Sequence, residues 1–86
     1  MADVVAAAVR GVPGVADLHA GMFGEVGTYL PGRRVPGIRL GDDVTEVHVT
    51  LVFGAAVRET AARIRDVVGT IIGTPVDVTI EDVVAS

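Results

Sequence analysis

Apolar residues recur along this chain at two alternating periods, and each change of period marks an element. Val5, Val9 and Val12 fall at helical spacing. Asp3 is placed to cap a short helix over Val4–Arg10, which Gly11 and Pro13 stop. In "GVADLHA" the period drops to two, with Ala16, Leu18 and Ala20 on one face and Asp17 and His19 on the other, the pattern of a half-buried strand. Between Gly21 and Pro36 neither period holds. The glycines there make a helix costly, at roughly 1 kcal/mol each relative to alanine, and Phe23, Val26 and Leu30 supply at most one apolar side of a frayed turn.

Beyond it, "GIRL" and "VTEVHVTLVF" flank Gly41-Asp42-Asp43 and predict a hairpin. Its second strand carries the clearest alternation in the chain. Val47, Val49, Leu51 and Phe53 share one face; Glu46, His48 and Thr50 share the other. From Ala55 the helical period returns through Val57, Ala61, Ile64, Val68 and Ile71, with Glu59 and Arg63 spaced as an i,i+4 pair. Gly73 and Pro75 end that helix. "VDVTIEDVV" alternates again, with Val76, Val78 and Ile80 inward and Asp77, Thr79 and Glu81 outward.

The order is helix, strand, loop, hairpin, helix, strand. Two helices cover one face of such a sheet, so the expected fold is a single α+β domain over residues 1–86. It is a two-layer sandwich on a small, mainly antiparallel sheet. The other face then carries Asp17, His19, Arg39, Glu46, His48, Thr50, Asp77, Thr79 and Glu81, and is wet.

Composition narrows the functional classes. A chain of 86 residues buries only about 60–65% of its unfolded surface, so added stability from association is valuable. Half the residues are apolar but 3% are aromatic, so the core is aliphatic and offers no stacking platform for bases or sugars. All 7 basic residues are arginine and the net charge is −4, which disfavours nucleic acid and direct docking on anionic lipid. With no cysteine, disulfides and thiolate chemistry are excluded. The opening "MADVVAAAVR" is acidic where a signal peptide is basic, and no stretch reaches the roughly 20 apolar residues of a membrane span. A soluble cytoplasmic protein is expected.

Three segments together resemble the bacterial alkaline shock protein family of envelope stress response proteins. "VVAAAVRGVPGVADL" looks like that family's Ala-rich helix running into a Val-Pro-Gly-Val turn. "GRRVPGIRL" is similar to its basic pair before a Gly-Val-Lys-Val strand. "VHVTLVFGAAVRETAARIRDVVGTIIGTPVDVTIEDV" follows its aromatic-Gly strand end, amphipathic helix, Thr/Gly turn and final Val-x-Val strand. The likeness spans nearly the whole chain in order, but lacks the family's short apolar segment before the first helix and its charged tail. It implies a non-catalytic protein of cell-envelope homeostasis that self-associates. It also implies a location at the inner membrane face, held there by a separate membrane-anchor protein.

Candidate chemistry is sparse. The Gly21–Gly27 segment has neither Gly-x-Gly-x-x-Gly nor Gly-Lys-Ser/Thr, and Glu25 would face a phosphate with like charge, so it reads as a loop. Asp17-x-His19 and Glu46-x-His48 each place an acid and a histidine on one strand face. If those strands are neighbours, the four residues form a set suited to Zn²⁺; otherwise they are ordinary exposed strand residues. The favoured expectation is no metal and no cofactor, with a small metal- or ligand-binding module as the alternative and nucleic-acid binding behind it. The only serine is Ser86, and without cysteine or lysine covalent catalysis has almost no candidates. Arg33, Arg34 and Arg39 form the one basic cluster, either a solvated loop or a contact for an acidic partner surface. Asp77 and Glu81, on the last strand, could meet arginines of a neighbouring copy.

Overall fold

One strand, Thr45–Val52, holds the main sheet together. The computed structural model describes residues 1–85, so Ser86 lies outside the described residues. Its elements run α1 (Ala2–Arg10), β1 (Val15–Leu18), β2 (Gly27–Leu30), β3 (Arg33–Pro36), β4 (Ile38–Arg39), β5 (Thr45–Val52), α2 (Val57–Gly69) and β6 (Val76–Val84). β1 and β4 pair antiparallel with successive parts of β5 along one edge, and β6 pairs with the other edge in parallel. That parallel pairing follows from α2, which carries the chain back across the sheet before β6 starts.

One aliphatic cluster joins the layers. Val5 and Val9 of α1 and Ile64 and Val68 of α2 pack with Val47, Val49 and Leu51 of β5, so both helices lie on the same face. Val76, Val78 and Ile80 extend the cluster at its margin, only partly buried. This is the two-layer α+β sandwich that the periodicity predicts, and the Leu40–Val44 connection forms the predicted hairpin between β4 and β5.

Several local expectations need correction. Helix α1 begins at Ala2, because Val5 N–H already bonds Met1 C=O; Asp3 therefore lies inside the first turn and caps nothing. On β1 the register slips between Val15 and Asp17, so Ala16 is an exposed bulge residue and Val15, not Ala16, faces Leu51. Phe53 is 82% exposed, beyond the last β5 residue and outside helical cover. Val57 is also exposed, because α2 turns Thr60, Ala61, Ile64 and Val68 to the core. That helix ends at Gly69, ahead of Gly73, where Thr70 Oγ1 donates to Val67 C=O at 2.8 Å. Among the described residues Glu59 and Arg63 form no ion pair.

The Gly21–Pro36 stretch is ordered. It contains a second, two-stranded sheet, β2 against β3, with Leu30 opposite Arg33. Pro31 and Gly32 make the turn: proline presets the first central position and Gly32, at φ +75°, takes the second. Val26 and Val35 are buried, whereas Phe23 is 90% exposed and forms no apolar side with them. Gly37 then permits a close approach. At φ +80°, a Cβ there would lie 2.8 Å from both His48 O and Leu18 Cβ. Its carbonyl accepts from His48 N–H at 2.9 Å, and its N–H donates to Val26 C=O at 2.9 Å, tying the small sheet to the large one.

Candidate functional site

β1 and β5 are neighbours, so the condition for a cross-strand histidine site is met at the backbone: His19 N–H donates to His48 C=O at 2.9 Å. The side chains are nevertheless committed elsewhere. His19 Nδ1 accepts from Gly21 N–H at 2.9 Å. Asp17 accepts from Arg10 Nε at 3.0 Å and from Leu18 N–H at 2.7 Å; the arginine bond first, then the backbone one, holds its carboxyl below the usual aspartate range. Among the described residues no group of three or more histidine, cysteine, aspartate or glutamate side chains is placed to hold a metal ion.

His48 has a different partner from any that its spacing suggested. Its Nδ1 lies 2.6 Å from Glu81 Oε2, while Nε2 is 3.5 Å from Glu46 Oε1. Glu46 in turn accepts from Arg39 at 3.1 Å, and Arg39 donates onward to Glu25 C=O at 2.8 Å. A polar chain thus crosses β4, β5 and β6 on the face away from the helices. The His48 and Glu81 side chains are only 12% and 15% exposed, so this part of the face is not wet. The cause is a bulge in β6: Ile80 pairs with Val49 but Asp82 with Thr50, leaving Glu81 as the extra residue. Alternation alone placed Glu81 outward but could not register it against His48.

The arginine cluster is likewise engaged. Arg33 forms a two-pronged pair with Asp3, bringing β3 to the start of α1. That bond, acting before the charge attraction, lowers the Asp3 pKa and raises that of Arg33. Arg34 donates to Gly24 C=O at 2.5 Å and sits 5.4 Å above the Tyr29 ring. Gly27 leaves the room for it, since a Cβ there would come within 2.6 Å of the guanidinium NH2. Of the expected interaction residues Arg33, Arg34, Arg39, Asp77 and Glu81, only Asp77 is exposed without a hydrogen bond or ion pair among the described residues.

What the fold leaves open is the outer edge of β6. Thr45 N–H bonds Pro75 C=O at 2.9 Å, so Pro75, Asp77 and Thr79 direct their backbone groups to β5. The alternate residues Val76, Val78 and Ile80 direct theirs outward. β6 is nine residues long and carries neither lysine nor proline on that edge. Beyond its bulge, Val83 and Val84 are exposed beside Phe53, whose N–H bonds Val84 C=O at 2.7 Å. An open depression of about 190 Å³ is lined by Pro13, Ala56, Glu59, Thr60 and Arg63. Thr60 Oγ1, the hydroxyl in it, donates to Ala56 C=O at 2.7 Å. No helix among the described residues is long and apolar enough to cross a membrane. Set against known proteins, the chain matches no family model, no curated protein and no solved structure.

Proposed function

We propose that this chain is a non-catalytic interaction domain that assembles with itself. Its role is the cell-envelope stress homeostasis implied by the resemblance to the alkaline shock protein family, exercised at the inner membrane face through a membrane-anchor partner. The observation that carries the reading is the β6 edge: a long strand with outward backbone donors and acceptors, partly buried valines and neither lysine nor proline ahead of its bulge at Glu81. Such an edge favours strand addition, which supplies backbone hydrogen bonds to a partner without a pre-formed cavity. The polar side chains support the same reading, because His48, Glu46, Arg33, Arg34 and Arg39 are tied up in internal bonds that position strands. A net charge of −4 favours a protein partner over direct attachment to anionic lipid.

Sedimentation velocity on the purified chain is the test. Dimers or larger species at micromolar concentration are expected, and a well-folded strict monomer at high concentration would overturn the reading. Binding to phosphatidylglycerol vesicles without any protein partner would overturn the anchor component alone.

A further inference from the structure

We infer that the β6 edge takes the β6 edge of a second copy, antiparallel and centred on Val78, closing a twofold dimer with one continuous sheet. The inference rests on the self-association proposed above and specifies its geometry. It begins with the faces. In a continuous antiparallel sheet, directly opposed residues share a face, so the helix-side residues Val76, Val78 and Ile80 must oppose one another. These same residues direct their backbone N–H and C=O groups away from β5. They can therefore form hydrogen-bonded pairs across the edge.

Centring on Val78 uses every one of them. Val78 exchanges bonds with Val78 of the second copy, Val76 with Ile80 of the second copy, and Ile80 with Val76 of the second copy. The regular part of β6 fills this register and stops at the Glu81 bulge, so the bulge lies outside the paired segment. On the opposite face Asp77 stands against Thr79 of the second copy, and Thr79 against its Asp77, a carboxylate beside a hydroxyl donor. The neighbouring symmetric registers are worse. Centring on Asp77 opposes the two aspartates, and centring on Thr79 opposes Asp77 to Glu81 while running the ladder into the bulge. Like charges directly opposed are destabilising. On the helix side, the pairing covers Val76, Val78 and Ile80, which a single chain leaves partly exposed at the margin of its core.

The pairing makes position-specific demands that other modes of association do not. The chain has no cysteine, so single Asp77→Cys and Thr79→Cys substitutions each place a unique thiol. In this register Asp77 and Thr79 of the second copy form a non-hydrogen-bonded pair, with Cα atoms about 4.5 Å apart and Cβ atoms at their closest, inside the disulfide range. In either variant alone the two sulfur-bearing residues are offset along the strand, with Cα atoms about 8 Å apart, beyond that range. Mild oxidation should therefore give a disulfide-linked heterodimer from an equal mixture of the two variants and little dimer from either alone. As a charge test that leaves the core untouched, Thr79→Lys should tighten the dimer about tenfold and Thr79→Asp loosen it about tenfold, since each change acts against Asp77 twice per dimer. Far-UV circular dichroism confirms that each variant is folded. Association without the mixed Asp77→Cys/Thr79→Cys cross-link, or cross-linking of either variant alone, would overturn this register while leaving self-association standing. Species larger than a dimer would overturn the closed twofold. A strict monomer would overturn both proposals.

Discussion

Leu51→Ala is the most direct test of how the layers are joined. Leu51 is fully buried, opposed by Val15 on β1 and Val83 on β6, and belongs to the cluster shared with both helices. Truncation removes apolar contacts and leaves a cavity that β5, hydrogen-bonded on both edges, cannot collapse to fill. The expected cost is about 2–5 kcal/mol. A domain of this length has a total stability of roughly 4–13 kcal/mol, so the change removes a large share and lowers Tm by roughly 10–25 °C. Thr50→Ala, one residue away on the other face, is half-buried and loses no hydrogen bond, so it should cost under about 1 kcal/mol. With no tryptophan and one tyrosine, the assay is urea unfolding followed by far-UV circular dichroism. It is run at several protein concentrations so that association is separated from folding. Equal losses in the two variants, or a larger one for Thr50→Ala, would refute the assigned inward face of β5.

Three further outcomes are expected. Gly37→Ala should destabilise by about 2 kcal/mol or more, seen as a lowered urea midpoint, because the new Cβ meets His48 O and Leu18 Cβ in a backbone conformation that L-residues resist. Glu81→Ala should cost about 1–3 kcal/mol in the same assay by leaving His48 Nδ1 without its partner, and Asp82→Ala, exposed beside it, should cost less. Asp3 and Asp17 have folded pKa values below the ordinary aspartate value. Their contribution is therefore present above about pH 4 and lost as pH falls through the folded values. Thermal melts between pH 6 and pH 2 should show this loss, and Asp3→Asn should reduce its slope.

The long elements were legible because their apolar residues keep one period. β5 and α2 expose or bury residues much as their patterns require, and the Gly41-Asp42-Asp43 turn separates two paired strands. Period stops being informative where the phase slips. Ala16 on β1 is an inserted residue that resets alternation, a change that Val-Ala-Asp-Leu does not announce. The β2–β3 hairpin is short and glycine-containing, so its alternation is faint, although Pro31-Gly32 is a sound turn signal. The site residues fared differently. Which polar side chains lie outward followed from period two. Which partner each one finds depended on strand order and on the bulge at Glu81, and neither is encoded locally.

The central place of β5 has a consequence for how the molecule opens. Its amides bond β1 and the Gly37 region on one side and β6 on the other: His48 N–H to Gly37 C=O, Val52 N–H to Gly14 C=O, Thr45 N–H to Pro75 C=O. No single neighbour can peel away and free all of them. Exchange at all the β5 amides together should therefore require both edges to open, and the most protected of them report the full stability of the domain. The β2–β3 pair is joined to the main sheet by Gly37 N–H to Val26 C=O and Thr28 Oγ1 to Ile38 C=O, and to the rest of the domain by Val35 in the core and the Arg33–Asp3 pair. Its amides can exchange through a local opening that leaves β5 closed, so the protein contains a slow-exchanging spine and a faster appendage within a single chain.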